Sequence, residues 1–415
     1  MTTTARSSAL RTTDGAGEVT NIELFFDLVY VLAVTQLALF LGEHHTAGGA
    51  IETAVLLAMV WQIWVYTTWA VNYLDPNRVP ARAMLVVLML GSLVIAASIP
   101  FAYTDRGLVI ASTYVAMQAG RALFVIAALR GEGLQLVFVR ILPWTAASGA
   151  VMLSGAAVDG HLRAALWAAS VAIDLIGAGF GFYVPGLGRS ETTDWTISGS
   201  HFAERCQAFV LIALGESIIV IGRTLAVPHP DGHDVAAFVT AFAGAVGLWW
   251  IYFDRAAEDS AREIASSDDP GRLARNAFHW IHPVIIGGII VEAAAGERLF
   301  EDPTERGDST FAWLLLGGTA LFLAGHALFK AVVWRKLSWP RLGGVVALGI
   351  VGILTPHVAR LTLAICSAAV IVGVALIDRL THPSRLDQPT EMARTARRSE
   401  SRTSADEGGP SAAAS

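Results

Sequence analysis

Residues 22–41 read IELFFDLVYVLAVTQLALFL, an apolar stretch long enough to cross a lipid bilayer. Two carboxylates, Glu23 and Asp27, lie near its start, and their spacing of four residues places both on one face of a helix. An ionised carboxylate inside a bilayer costs about 3 kcal/mol, so we expect this face to contact protein or water rather than lipid. Two interpretations stay open: the pair lies among headgroups at the positive end of the helix dipole, or it belongs to a polar site inside the protein.

The composition is typical of a membrane protein with many spans. Only 15% of the 415 residues are charged and 54% are hydrophobic, whereas soluble chains carry about 25% charged residues. We therefore predict an all-α polytopic membrane protein with about twelve transmembrane helices. The predicted spans are residues 22–42, 50–71, 83–103, 107–129, 135–157, 163–184, 203–225, 235–254, 277–296, 311–332, 343–358 and 360–379. The last two are short and meet at Thr355, Pro356 and His357, so they form separate helices, one hairpin or a broken helix, and eleven spans is the competing count.

The basic residues indicate how the chain is oriented. Most of the 29 Lys and Arg residues lie in the loops that follow even-numbered spans and in the C-terminal tail. Because loops rich in Lys and Arg stay on the cytoplasmic side, we predict a protein of the inner (plasma) membrane with both termini cytoplasmic and the lipid bilayer as its main partner. Residues 1–20 and 384–415 are rich in Ser, Thr, Ala and charge, and we predict that both are disordered.

The chain has the pattern of an internal duplication. Glu23 opens the first span and Glu204 opens the seventh, the second span ends WVYTTWAVNYLD and the eighth WWIYFD, and GRALF in the fourth span corresponds to GHALF in the tenth. We predict two six-helix repeats, residues 22–184 and 203–380, joined by a cytoplasmic linker at 185–202. Six spans per repeat give both halves the same orientation, which is the parallel-repeat plan of many transporters.

Two segments carry a family resemblance. The opening ELFFDLVYVLAVTQLALFL and the segment HFAERCQAFVLIALGESIIVIG at residues 201–222 resemble the bacterial low temperature requirement A (LtrA) family, over roughly residues 20–380. The resemblance implies a multi-pass membrane protein whose family is named for growth at low temperature, a stress response, and it implies no particular reaction. The residues that match the family pattern are Glu23, Asp27, Glu204, Arg205, Gly215, Glu216 and Ser217.

Two other families are weaker matches. Potassium channels that begin their first span with Phe-Ser-Asp also have six-span repeats, but this chain has Phe25, Phe26 and Asp27 at that point, and the Ser is missing. The major facilitator plan has two parallel halves, but its loop signature after the second span is replaced here by NYLDPNRVPAR.

Several ionisable residues are predicted to lie deep in the membrane, where such groups face the bundle interior and often mark ion pathways. Glu216 lies twelve residues after Glu204, about 18 Å along a helix. Arg121, in the fourth span, is aligned with His326 in the tenth, and Asp174 lies midway along the sixth. The candidate ion-path residues are Glu23, Asp27, Arg121, Asp174, Glu204, Glu216, Ser217 and His326.

Each deep charge has a structural and a functional interpretation. Arg121 keeps its proton, so it suits a static pair with Asp174 or Asp27 as well as it suits a transport path. Burial favours the neutral form of a carboxylate, so Glu216 suits a proton-coupled step or a cation site, although a static partnership with Arg121 stays open.

Neither a cofactor nor an enzymatic activity is expected. The sequence contains no nucleotide-binding G-x-x-x-x-G-K-S/T or G-x-G-x-x-G motif, no G-x-S-x-G nucleophile motif and no H-E-x-x-H motif. His279 and His282 are three residues apart, but no third metal ligand is identifiable nearby, so we expect no metal site. Nothing in the sequence predicts nucleic-acid binding.

Two classes of function remain. The first is a secondary transporter or channel for a small ion or solute, with proton coupling as an option. The second is a non-transporting membrane protein that supports stress tolerance through lipid or partner contacts. The repeat and the deep carboxylates favour the first class, whereas the lack of a recognisable filter or substrate motif keeps the second open.

Overall fold

The computed structural model describes residues 19–192, 199–224, 229–254, 260, 262–264 and 266–381. Within these ranges the fold is a bundle of twelve main helices, all of them apolar over most of their length. They are α1 (Asn21–Glu43), α2 (Ala47–Tyr73), α3 (Val79–Ala96), α4 (Gly107–Ala128), α5 (Gln135–Ala156), α6 (Gly160–Gly179), α7 (Gly199–Thr224), α8 (Gly232–Phe253), α9 (Pro270–Glu301), α10 (Ser309–Trp334), α11 (Trp339–Ile353) and α12 (Arg360–Thr381). Residues 1–18 and 384–415 of the predicted disordered segments, and residues 193–198 of the predicted linker, lie outside the described residues.

Polar side chains fix where several helices begin. The Thr20 N–H donates to the Glu23 carboxylate at 2.9 Å at the start of α1. Asp231 accepts from the backbone N–H of Asp234 at the start of α8, and Asp308 accepts from that of Phe311 at the start of α10. These caps satisfy N–H groups that the first turn of a helix leaves without a carbonyl partner.

The all-helical prediction is confirmed for the described residues, and the number of full-length spans differs from twelve. Eleven helices there are long and apolar enough to cross a membrane. The other helix, α11, has 15 residues and a length of about 22 Å, shorter than the bilayer core of about 30 Å. It ends at Ile353, earlier than the predicted 358, and a 3-10 turn at Thr355–His357 separates it from α12. The predicted spans eleven and twelve are therefore separate helices.

Two other predicted spans are displaced at one end. The third helix stops at Ala96 rather than at residue 103, because a 3-10 turn containing Pro100 follows at Ile99–Phe101. The ninth begins at Pro270 rather than at residue 277, since Asp269 caps it and a proline suits the first helical turn.

Helices α1–α6 are called the first set below, helices α7–α12 the second set, and the contact region between the two sets the central interface. In the first set α1 contacts α3, α3 contacts α4, α4 contacts α5, α5 contacts α6, and α6 contacts α2. In the second set α7 contacts α9, α9 contacts α10, α10 contacts α11, α11 contacts α12, and α12 contacts α8. Helices α1 and α2 of the first set both pack on α7 and α9 of the second.

Aromatic side chains pack together at the central interface, and the outside of the bundle is apolar. Trp61 and Trp64 of α2 pack edge-on against Phe209 of α7, with ring centroids 5.5 and 4.9 Å apart. On the opposite face of α1, Leu24 and Phe25 are exposed. An apolar exterior around a polar interior suits a bundle that lies in lipid.

Two helices contain π-helical segments, Arg275–Ile281 in α9 and Trp313–Gly317 in α10. Such segments are rare and frequently mark functional sites. Below, the end of the bundle at which α1 begins is called the near end, and the opposite end is called the far end.

Candidate functional site

A buried ion-pair cluster joins the two sets of helices close to the near end. Glu23 and Asp27 lie on α1, as predicted from their spacing, and both are fully buried. Arg205 of α7 donates from Nε to Asp27 Oδ2 at 2.7 Å and from Nη2 to Asp27 Oδ1 at 2.5 Å. Its Nη1 lies 3.3 Å from Glu23 Oε1, which His201 Nε2 contacts at 2.8 Å. Trp64 Nε1 adds a fifth contact, to Asp27 Oδ1 at 2.7 Å.

This cluster is saturated with contacts. The Arg205 guanidinium is fully buried and lies 5.7 Å from the centroids of both Phe26 and Trp64. Removing charges from water is expensive, and the cost is recovered only when geometry is good and every group is hydrogen-bonded. The bidentate fork on Asp27 meets that condition, so the cluster acts chemically as a fixed link between α1 and α7.

Glu216 lies farther along the same interface. Its side chain is 3% exposed and accepts a hydrogen bond from the Thr35 hydroxyl of α1. Among the described residues, no Lys, Arg or His makes an ion pair with it. Glu216 is therefore a buried carboxylate that a neutral hydroxyl holds between two packed helices.

Arg121 of α4 is surrounded by neutral groups. It donates to the Gln118 side chain and, at 3.4 Å, to the Ile63 carbonyl and the Thr67 hydroxyl. Gln118 in turn donates to the Tyr114 hydroxyl at 3.1 Å.

Tyr114 then donates to Asp174 Oδ2 at 3.1 Å. The predicted partners Arg121 and Asp174 are thus connected through two neutral side chains rather than in direct contact. Asp27, the other predicted partner of Arg121, pairs with Arg205, so the interpretation of Arg121 as the static partner of Asp27 is wrong.

A partly buried carboxylate lies in the far half of the second set. Glu292 of α9 accepts from the Thr319 hydroxyl of α10 at 3.1 Å, and Thr319 also contacts the Ser367 hydroxyl of α12 at 3.1 Å. The carboxylate lines a cavity of about 50 Å³ together with Ser217 and Thr240. The candidate Ser217 therefore lines the same cavity as the Glu292 carboxylate.

The two remaining candidates lie on α7 and α10. Glu204 of α7 is exposed. His326 of α10 is fully buried in an aromatic group with Tyr252 and Phe329, at 5.8 and 6.1 Å between ring centroids. No group of three or more His, Cys, Asp or Glu side chains in the described part of the chain has metal-binding geometry.

Sequence reasoning missed several residues. His201 and Arg205 are four apart on α7, as Glu23 and Asp27 are on α1, and this matching of two basic with two acidic positions was a signal for the cluster. Trp64 was not among the candidate residues, although its Nε1–H donates to Asp27. The Glu292 cavity had no sequence signal, because its walls come from five helices spread along the second half of the chain.

The far end carries its own charged group outside the membrane. Arg298 and Arg360 lie 3.5 and 3.4 Å from Asp308 Oδ2. Partial burial raises the pKa of Asp308, but the Phe311 N–H and the two guanidinium groups outweigh it and hold the pKa below its usual range. This cluster ties the end of α9 to the starts of α10 and α12.

Long apolar helices around buried charges and polar cavities define a multi-pass helical membrane protein. The family model described as bacterial low temperature requirement A protein (LtrA) matches residues 18–376. The chain belongs to this family, and the resemblance seen in the sequence is confirmed. It is also similar to an uncharacterized protein of Rhizobium meliloti (strain 1021), with 34% identity over 358 residues that cover 85% of this chain and 87% of the relative. No solved structure matches the chain.

Proposed function

We propose that this protein is a secondary transporter or channel that moves a small ion or solute across the plasma membrane in a proton-linked step. The observation that carries the proposal is Glu216, a carboxylate buried between the two sets of helices whose partner is the Thr35 hydroxyl. A buried charge in a membrane is costly, and one without an ion-pair partner stays only where it exchanges a proton or meets an ion. By family, this activity would support growth at low temperature.

The proposed arrangement is two parallel six-helix repeats, and two observations support it. Each set of six helices has the same pattern of neighbours, so that α1, α3 and α4 correspond to α7, α9 and α10. The offset that aligns Glu23 with Glu204 also aligns Thr35 with Glu216, and these two residues are 181 apart and in contact. Equivalent positions touch each other where a pseudo-two-fold axis passes, which is where parallel-repeat transporters place their binding sites.

The proposed orientation has both termini in the cytoplasm, which makes the near end the cytoplasmic end. It is supported by the excess of Lys and Arg in the loops of that end. A reporter inserted in residues 227–234 is expected on the outside and one in residues 266–271 on the inside, and either reporter on the opposite side contradicts the orientation.

One observation favours the second function, a non-transporting role in stress tolerance. The Asp27–Arg205 pair is fully buried and saturated with hydrogen bonds, which suits a structural link rather than a moving part. This role predicts that the purified protein supports no flux.

Flux into liposomes tests the proposal. Purified protein is reconstituted, and uptake of labelled rubidium, sodium, chloride and phosphate is measured with and without an imposed pH gradient. We expect uptake of at least one ion above that of protein-free liposomes, and faster uptake when a pH gradient is present. Uptake equal to that of empty liposomes for all ions, under both conditions, contradicts transport and favours the second role.

A further inference from the structure

A second cavity, distinct from the one at Glu292, lies between the two sets of helices close to the near end. It has a volume of about 50 Å³, enough for a small ion with a few waters. Its walls come from helices α2, α4, α5, α6 and α9 and from residues 181–192, which follow α6. Tyr66 and Trp69 supply an aromatic side, and Arg121, Arg275 and His279 supply the charged and polar side.

The polar side consists of hydrogen-bond donors. Arg121 is 7% exposed and His279 is 2% exposed. The Arg121 Cζ atom lies 5.3 Å from the centroid of the Tyr66 ring, and the centroid of the His279 ring lies 5.4 Å from it. Arg275 is half-buried, and its Nη1 donates to the Ala178 carbonyl at 3.0 Å. The Nε atom of Arg275 and the Nε2 atom of His279 are both buried and make no hydrogen bond within the described part of the chain.

The nearby carboxylates are engaged elsewhere. Asp269 accepts from the Thr192 hydroxyl at 2.5 Å and pairs with Arg272 at 3.3 Å. Asp174 lies beyond Gln118 and Tyr114, at the other end of the hydrogen-bond chain from Arg121. Two guanidinium groups therefore line one cavity, and no carboxylate among the described residues makes an ion pair with either of them, in a region where a positive charge without a close partner is costly.

The local backbone is unusual at the same point. Arg275 and His279 both belong to the π-helical segment Arg275–Ile281 of α9. The segment is held in place by Trp61, whose Nε1 donates to the His279 carbonyl at 3.0 Å. A π-helical segment re-aims side chains relative to a regular helix, and here it brings both residues to the cavity.

We propose that this cavity binds a small free oxyanion, of the carboxylate or phosphate class, held between Arg121 and Arg275. A guanidinium presents two parallel N–H groups that match two oxygens of such an anion, and the unpartnered Nε of Arg275 and Nε2 of His279 supply further contacts. The anion would bring a negative charge into direct contact with both guanidinium groups. The inference that this anion is the transported substrate rests on the proposed function, whereas binding of the anion can be tested without transport.

Equilibrium dialysis of the purified full-length protein in detergent tests the site, with labelled phosphate and labelled acetate as probes. We expect saturable binding of at least one probe to the wild-type protein. Arg275→Gln and Arg121→Lys should each weaken binding about tenfold or more. The first change removes a charged donor, and the second keeps the charge but removes the two parallel N–H groups of the guanidinium. Arg130→Gln, an exposed arginine at the end of α4, is the matched control and should bind like the wild type.

The outcomes separate the alternatives. Circular dichroism and gel filtration establish whether each variant is folded. Because Arg275 is only half-buried, we expect Arg275→Gln to fold even where Arg121→Lys does not. No saturable binding to the wild type, or binding that both cavity variants retain in full, overturns the site. If native mass spectrometry finds an anionic lipid bound to the protein in place of phosphate or acetate, the assignment of the site to a small free anion is overturned.

Flux data distinguish this inference from the proposed function. Flux of a cation without anion binding overturns the anion site and leaves the transport function standing. Anion binding without flux of any ion overturns transport and leaves the site standing.

Discussion

At the scale of single residues, Asp27 illustrates how this protein keeps charge inside a membrane bundle. Its carboxylate receives two bonds from Arg205 and one from Trp64, so no oxygen is left without a donor. Glu216, on the same interface, accepts a hydrogen bond from the Thr35 hydroxyl, its one partner among the described residues. The first arrangement fixes a charge in place, and under our proposal the second leaves a carboxylate able to exchange a proton.

Asp27→Asn should therefore destabilise the protein strongly. The change replaces the carboxylate by an amide with one acceptor oxygen and leaves the buried Arg205 with Glu23, at the longer distance of 3.3 Å, as its charged partner, and breaking a buried pair costs about 3 kcal/mol. Unfolding in detergent, followed by circular dichroism, measures the loss. The matched control is Asp159→Asn, because Asp159 also pairs with an arginine, Arg163, but is 88% exposed, and it should cost about 1 kcal/mol or less.

A double variant sharpens this test. If the cost arises from a stranded cation, Asp27→Asn combined with Arg205→Met should be more stable than Asp27→Asn alone. Equal losses for Asp27→Asn and Asp159→Asn would contradict the structural role of the cluster.

Part of this chemistry was predictable from the sequence. The spacing of Glu23 and Asp27 predicted a shared face, since helix geometry alone determines it, and left open whether that face lies inside the protein, where the structure places it. Their partners depend on which helices pack together, and periodicity carries no information on that. The candidate Glu204, taken as the repeat equivalent of Glu23, is exposed, and its neighbour Arg205 is the fully buried residue.

At the scale of helices, α9 and α10 approach each other through glycine. A Cβ on Gly288 would lie 2.5 Å from the Phe322 backbone nitrogen, and one on Gly318 would lie 2.5 Å from that of Glu292. Backbone atoms cannot move aside as a flexible side chain does. This close approach brings the Thr319 hydroxyl within hydrogen-bond distance of the Glu292 carboxylate.

Gly288→Ala should force the two helices apart and destabilise the fold by about 2 kcal/mol. Gly373→Ala in α12 is the control, because a Cβ there meets nothing within 4 Å and alanine favours a helix over glycine by up to about 1 kcal/mol. Melting temperature in detergent compares the two, and we expect a lower value for the first and an equal or higher value for the second. Equal melting temperatures would contradict the close packing of α9 on α10.

The existence of the helices was easier to predict than their ends. Apolar stretches of bilayer length predicted all twelve, since that length is fixed by the thickness of a membrane. Their ends follow local chemistry instead, as where Asp269 and Pro270 start α9 before its apolar part. The short α11 was predicted at residues 343–358 and lies at Trp339–Ile353, because a 3-10 turn at Thr355–His357 takes the place of its last turn.

At the scale of the whole molecule, the proposed account has three parts along one central interface. The Asp27–Arg205 cluster links the two sets of helices, Glu216 exchanges a proton where equivalent positions of the two sets meet, and the cavity at Arg121 and Arg275 holds an anion. A proton moving with an anion would carry little net charge, which lowers the cost of crossing a membrane. The account therefore requires that Glu216 change its protonation state while the fold stays intact.

Proton entry into liposomes that contain a trapped pH-sensitive dye tests this requirement most directly. Inward gradients of phosphate, chloride, sodium and potassium are imposed in turn on liposomes with wild-type, Glu216→Gln or Glu204→Gln protein. We predict proton entry with at least one gradient for the wild type and for Glu204→Gln, whose side chain is exposed on the same helix, and none for Glu216→Gln. Glu216→Gln should also melt at the wild-type temperature, since the amide keeps the shape and the hydrogen bond to Thr35. Proton entry through Glu216→Gln at the wild-type rate, or none through the wild type with any gradient, would contradict the account.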